Sequence, residues 1–242
     1  MTRKVVFVHG VPDTFHLWDP IISRLSEIDA NALALPGFDW PVSAGFGATK
    51  EEYVDWIIES IEDIGGPVDL VGHDWGSLFV QRVASLRPDL ITTWIVGDAA
   101  VDSEYEWHET AKLWQTPDIG EQVMAAFTPE AAIDALVPAG IPQGTAEGMT
   151  AYIDDTMKDC ILKLYRSAVN VGAEWEPDLK HAASRPSLVL WGKDDPFVTV
   201  RFAERLAERV AGELVVLDSG HWWPVQCPDE AAAAMTDFWN RS

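Results

Sequence analysis

Short β-branched runs alternate along the chain with longer stretches in which apolar residues recur every three or four positions. The runs are "KVVFVHG" (4–10), "ANALALPG" (30–37), "VDLVGHD" (68–74), "ITTWIVGD" (91–98), "SLVLWGKDD" (187–195) and "ELVVLDSGH" (213–221). Each ends in Gly, Asp or His, as expected where buried parallel strands deliver polar groups to their carboxyl ends. The periodic stretches predict helices near 17–28, 49–64, 75–87, 199–211 and 228–240, and Thr49 followed by Glu52 has the spacing of a capping box. This alternation predicts an α/β protein with a mostly parallel sheet of about six strands and helices on both faces. Residues 101–183 break it. Helix-like segments there are separated by "TPD", "VPAGIPQG" and "EWEPD", with no strand, so the chain divides into a core (1–100 and 184–242) carrying an all-helical insertion (101–183). No internal repeat is present, and "AAAA" at 231–234 is ordinary helix interior.

Composition narrows the partners more than the fold. With 242 residues, 48% of them hydrophobic and 23% charged, the chain is long enough to bury a large core as one domain plus an insertion. Its formal charge of -22, from 39 acidic and 17 basic residues, repels phosphate backbones and anionic headgroups, so neither nucleic acid nor a membrane surface is an expected partner. Cys160 and Cys227 fit no metal-ligand or redox spacing, which favours reduced thiols and a cytoplasmic location. The N-terminus lacks the apolar region of a signal peptide, and no apolar run is long enough to span a bilayer.

The stretch "LVGHDWGS" (70–77) carries the most chemistry. Glycines at 72 and 76 flank Asp74 in the spacing G-x-D-x-G, a strand-to-helix turn in which an aspartate occupies the place of the serine of a nucleophile elbow. Together with "HGVP" (9–12), "LPGF" (35–38), "WGKDD" (191–195) and "GHWW" (220–223), this turn resembles the α/β-hydrolase superfamily, and the Asp elbow resembles its epoxide hydrolase and haloalkane dehalogenase branch. The resemblance runs in matching order over nearly the whole chain, with the insertion, the family's cap, only loosely covered. Members of the family usually open with a β-hairpin before the strand leading to "HG". Here that strand begins near Lys4, so the sheet is expected to be shorter at that edge.

A serine elbow needs a base to remove its proton, whereas carboxylates, with a reference pKa of about 3.9, are ionised at neutral pH. An elbow carboxylate is suited to displacement at a saturated carbon bearing a halide or a strained epoxide oxygen, and the product is an ester on Asp74. Hydrolysis of that ester requires a general base, for which His221 in "SGHWW" is the candidate. The resemblance implies Asp195, three residues after the glycine of its turn, as the acid that orients the imidazole; Asp98 is the reserve choice, because some haloalkane dehalogenases place their acid after that strand. The amides of Val11 and Trp75 are the expected oxyanion donors. His9 and His73 are expected to orient loops beside the pocket, and neither has metal-ligand spacing; no metal and no cofactor is expected.

Each assignment has a plainer rival. Asp74 could cap the helix starting at Trp75, His221 could be a satisfied core histidine, and acidic turns such as that of Asp195 are common after strands. A non-catalytic small-molecule receptor on the same fold also remains open, because fold alone never settles activity. A serine esterase is disfavoured, since the elbow has no hydroxyl until Ser77.

What the resemblance implies about substrate depends on the leaving group. A dehalogenase holds its halide between two donors, and Trp75 supplies one; the position of the usual second, an Asn side chain, is Val11, so a tryptophan of the insertion would have to replace it. An epoxide hydrolase uses two tyrosines. "ILKLYRSA" offers Tyr165, followed by Arg166, for the second, and Tyr152 or Tyr105 is the candidate for the first. Tyr165 could also be a plain helix contact among Ile161, Leu162 and Leu164. Epoxide hydrolysis leads, with dehalogenation as the alternative. The 12 tryptophans, including Trp107, Trp114, Trp222 and Trp223, read as core or apolar pocket lining, so the expected substrate is small and apolar. Substrate size, stereochemistry and oligomeric state depend on how the insertion packs.

Overall fold

A computed structural model describes residues 2–242. Six strands, β1 (Arg3–Val8), β2 (Ile28–Leu33), β3 (Val68–His73), β4 (Ile91–Gly97), β5 (Ser187–Gly192) and β6 (Glu213–Leu217), form one sheet in the order β2-β1-β3-β4-β5-β6. All five pairings are parallel. Helices of the core are α1 (Asp19–Ile22), α2 (Lys50–Ile64) and α3 (Trp75–Leu86). The segment between β4 and β5 holds α4 (Glu109–Gln115), α5 (Ile119–Ala126), α6 (Pro129–Leu136), α7 (Gln143–Thr150), α8 (Asp155–Ser167) and α9 (Val171–Trp175), then a 3-10 helix over Glu176–Ser184. After β5 come α10 (Val200–Val210), α11 (Trp223–Gln226) and α12 (Pro228–Trp239). Among the described residues no helix is long and apolar enough to cross a membrane.

Parallel strands buried on both faces are largely apolar, as Val5–Val8, Leu70–Val71, Trp94–Val96 and Leu188–Trp191 are here. In β1, Val6 and Val8 join the core cluster that includes Val54 and Phe79 of α2 and α3, while Val5 and Phe7 join the opposite cluster with Met235 and Phe238 of α12. Successive side chains thus fill two separate cores, one on each face. No strand precedes β1 among the described residues, and half-buried β2 forms the edge, as the missing hairpin implied.

Two elements differ from their sequence reading. The helix expected at 17–28 is a 3-10 turn (Phe15–Trp18) plus the single turn of α1. The chain then turns through Glu27 at φ 59 so that β2 can start at Ile28, opposite Arg3 and two residues before its expected start. α2 follows its reading closely. The Thr49 hydroxyl accepts from the Glu52 amide at 3.3 Å, and the Glu52 carboxylate accepts from the Thr49 amide at 3.0 Å.

Charges fix the ends of the helical insertion to α10. Asp102, just after β4, accepts from Arg205 at 2.7 Å and lies 2.9 Å from Arg209; Arg209 also pairs with Glu176 at 2.8 Å. Glu176 in turn accepts from the Ser103 amide at 2.6 Å, so the segment leaving β4 is joined to the one returning to β5.

Candidate active site

β3 ends at His73, α3 starts at Trp75, and Asp74 between them sits at φ 52, ψ −122. A left-handed φ strains any residue with a Cβ, so the surroundings must hold it. The Asp74 amide donates to the Gly97 carbonyl at 3.0 Å, and the Ser77 hydroxyl ties the turn to Gly72 at 3.0 Å while accepting from the Gly97 amide at 2.8 Å. The flanking glycines are a steric requirement. A Cβ on Gly72 would collide with the Gly76 carbonyl, one on Gly76 with the Val8 carbonyl, and one on Gly10 would come 2.5 Å from Asp74 Cβ. The Asp74 side chain does not cap α3. Its Oδ1 instead accepts from the Val11 amide at 2.8 Å. The Trp75 amide makes no hydrogen bond to this carboxyl.

Register brings the other residues to the same place. Val8 pairs with Gly72, His73 with Gly97 and Gly192 with Leu217, so the loops after five strands meet at one end of the sheet. His221 Nε2 lies 3.7 Å from Asp74 Oδ2, and His221 Nδ1–H donates to Asp195 Oδ2 at 3.0 Å. Asp195 Oδ1 accepts from the amides of Phe197 at 2.7 Å and Val198 at 3.1 Å, which fixes the carboxyl plane. Burial alone would lower the His221 pKa, but the charges of Asp195, Asp74 and Asp98 and the hydrogen bond to Asp195 outweigh it and push it up to about 10.

The reserve acid occupies a different position. Asp98, wholly buried at φ 58, accepts from the Gly192 amide at 2.9 Å, and its Oδ2 is 3.5 Å from His73 Nε2. It touches the imidazole next door, and burial pushes its carboxyl up to about 6. His73 Nε2–H donates to the His221 carbonyl at 2.8 Å, placing the backbone of the candidate base. His73, Asp98 and His221 offer ligand atoms within 4.8 Å of one another, yet His73 Nε2 and His221 Nδ1 are already engaged in these hydrogen bonds. His9 bridges two loops: Nδ1–H donates to the Gly10 carbonyl at 2.7 Å, and Nε2 accepts from the Leu35 amide at 3.3 Å. Burial lowers its pKa to about 4, which keeps the ring neutral in that role.

A cavity of about 540 Å³ lies between these strand ends and the helical insertion, and Val11, Asp74, Trp75 and His221 open onto it from the core. From the insertion come Tyr105, Trp107, His108, Trp114 and Tyr165. Trp75 stacks on Trp107 with centroids 5.5 Å apart, and Tyr165 packs its ring within 5.2 Å of Trp75 and 4.9 Å of Trp114. The indole nitrogens of Trp75 and Trp114 are buried without a hydrogen-bond partner. Burial and the charge of Asp74 raise the pKa of both Tyr165 and Tyr105, so both phenols stay protonated facing that carboxylate.

Tyr152, the reserve candidate, lies outside this cavity. Its hydroxyl is 3.3 Å from His16 Nε2 and its ring stacks on His16. Trp223 packs in the core against Trp18 rather than at the cavity. Sequence reasoning passed over Asp13, which lines the cavity, and His108, whose Nδ1 accepts from the Ala111 amide at 3.3 Å. "PD" after "HGV" was the only available sign of the first, since the path of a loop decides where its side chain faces. His108 carried no sign at all.

A family model described as "Alpha/beta hydrolase family" matches residues 5–234. The chain is 26% identical to an (E)-2-((N-methylformamido)methylene)succinate hydrolase from Acinetobacter baylyi, over 96% of this chain and 89% of that protein. It is also 26% identical to epoxide hydrolase A from Mycobacterium tuberculosis, over 97% and 89%. Among solved structures it superimposes on a haloalkane dehalogenase from Bradyrhizobium elkani with a TM-score of 0.79 at 21% identity, covering 100% of this chain and 92% of that one.

Proposed function

The chain belongs to the alpha/beta hydrolase family, and on that premise we propose that it is an enzyme that opens small apolar epoxides through a covalent ester on Asp74. One observation carries the reading. The elbow presents a carboxylate whose Oδ1 is held by the Val11 amide at 2.8 Å and whose Oδ2 faces His221 Nε2 at 3.7 Å. The relatedness to epoxide hydrolase A supports the same class.

In the first step an Asp74 oxygen attacks an epoxide carbon, the C–O bond breaks, and the departing oxygen takes a proton from a phenol of the insertion. Tyr165 is one donor and Tyr105, rather than Tyr152, the other, because both phenols sense the Asp74 charge. A single event prepares both acid and base. While Asp74 is ionised it raises the pKa of each tyrosine and of His221. As that charge is consumed in the new C–O bond, the phenols become stronger acids, and His221, losing the attraction that held its proton, passes it to the tyrosinate left by the first step.

In the second step His221 Nε2 takes a proton from water, the water oxygen adds to the Asp74 carboxyl carbon, and the alcohol leaves with one of the original Asp74 oxygens. The Val11 amide on Oδ1 is placed to bear the negative charge formed there, a contribution of about 3 kcal/mol per donor. The Trp75 amide remains the candidate for the second donor. Asp195 holds the imidazole tautomer and balances the imidazolium. The imidazolium so formed beside the regenerated Asp74 carboxylate is the starting state, and the sum is epoxide plus water to diol.

Dehalogenation is the second reading, favoured by the two buried indole N–H groups of Trp75 and Trp114, which have no partner and line the cavity. A His221→Ala variant incubated with epoxides and alkyl halides and followed by intact-protein mass spectrometry separates these possibilities. The proposal expects an adduct on Asp74 with epoxides. Adducts with halides alone would favour dehalogenation. No adduct with either, alongside unchanged ligand binding, would favour a receptor.

A further inference from the structure

The cavity wall carries carboxylates and, among the described residues, no lysine or arginine. Asp102 on that wall is neutralised from behind by Arg205 and Arg209. Among the described residues Asp13 has no such partner. It follows the Val11–Pro12 pair on the loop after β1, is only 5% exposed, and lines the cavity with Asp74, His221 and Trp222. Its side chain caps nothing, since the 3-10 helix that begins at Phe15 receives no side-chain cap. Among the described residues, the one donor approaching its carboxyl is the Trp222 indole. Burial, with the charge of Asp74 added, pushes the Asp13 pKa up to about 6 against the opposing influence of His73 and His221. A buried carboxylate short of donors is costly, and such a group at a cavity wall gains most from a ligand that supplies them.

We propose that Asp13 forms a second, polar subsite of the cavity, one that takes an ammonium group on a substrate whose apolar body lies against Trp75, Trp107 and Trp114, and that turns carboxylate-bearing substrates away. Asp13 and Asp74 carry two negative charges on this wall against the one imidazolium of His221, so the net local charge favours a cation over a neutral donor and opposes an anion. This deepens the epoxide-opening reading by naming the substrate class: amine-bearing apolar epoxides. The subsite itself requires only that the cavity bind ligands, whatever bond is then cleaved.

The test uses three unreactive ligands of matched shape, phenethylamine, propylbenzene and 3-phenylpropionate, with Kd read from tryptophan fluorescence at pH 7.5. Wild type is expected to bind the amine at least about tenfold tighter than propylbenzene and the carboxylate at least about tenfold weaker, the scale of one charge-assisted hydrogen bond. In Asp13→Asn, or in Asp13→Ser should the first fold poorly, the amine-to-propylbenzene ratio is expected to fall to within about threefold. Equal affinity for amine and hydrocarbon in the wild type, or a ratio that survives both substitutions, overturns the proposal. An amine preference without any epoxide opening would sink the reaction assigned above and leave the subsite standing. Epoxide opening without an amine preference would do the reverse.

Discussion

Substituting Asp74→Asn removes one negative charge from beside His221 and changes little else, so it measures the coupling on which the two-step chemistry depends. The carboxyl oxygen lies 3.7 Å from Nε2, and both side chains are mostly withdrawn from solvent. Opposite charges about 4 Å apart at an effective dielectric of about 20 attract by about 4 kcal/mol, which is about 3 pKa units. The His221 pKa is therefore expected to fall from about 10 by up to about 3, with the larger contribution of Asp195 left in place. The variant thus copies the charge state of the ester, in which Asp74 is neutral and His221 must accept a proton from water. The assay is an NMR titration of histidine-labelled protein, following the His221 ring nitrogens in wild type and variant. A second readout follows from linkage. Because the folded-state pKa lies above the ordinary histidine value of 6.5, protonated His221 contributes stability that is full below pH 6.5 and is lost as pH rises through the folded value. Wild-type Tm should therefore fall across pH 7–9.5 more steeply than that of the variant. A His221 pKa that moved by less than about 0.5 units would show that Asp74 is not what holds the proton, and the argument for charge consumption as the trigger would fail.

Asp195→Asn should leave the first chemical step intact and slow ester hydrolysis by about 10³- to 10⁴-fold, so that an Asp74 adduct accumulates in rapid-quench mass spectrometry. Asp98 should not rescue it, because its carboxyl is committed to the Gly192 amide and to His73. Gly76→Ala forces a Cβ against the Val8 carbonyl of a central strand. The expected loss is about 3 kcal/mol or more, read as a Tm drop of about 6–12 °C, and a near-wild-type Tm would refute the steric account of the elbow spacing. For Asp13→Asn the sign is reversed. A carboxyl raised from 3.8 to about 6 destabilises the folded state as pH climbs from about 4 to above 6, by about 3 kcal/mol, so the variant should gain Tm over wild type at pH 7.5 and lose that gain at pH 4.

The strands and the elbow were legible because their signals are local. Val5 to Val8 and Leu188 to Trp191 are apolar at every position, as only doubly buried strands are, and the glycines at 72 and 76 record contacts a Cβ would not permit. The edge strand was harder to place. Ile28 and Asp29 alternate half-buried and exposed, which hides a strand start inside what looks like the end of a helix. α11 went unread because Pro224 opens only one turn, directly after the polar turn carrying His221. At the site, Asp74, Asp195 and His221 follow the ends of β3, β5 and β6 within four residues, so register carries them to one end of the sheet. The tyrosines do not follow register. Tyr105 reaches the cavity from an irregular segment and Tyr152 turns instead to His16, a choice made by the packing of the insertion. The same holds for Asp13 and His108, whose positions follow from loop path and not from any period in the chain.

The central claim is that an Asp74 oxygen becomes part of the product, and a single turnover in H₂¹⁸O tests it most directly. With enzyme in excess over an apolar epoxide, the diol from the first turnover should carry no solvent oxygen, and peptide mass spectrometry should find the ¹⁸O on Asp74. A first-turnover diol already labelled from water, with Asp74 unlabelled, would contradict the account.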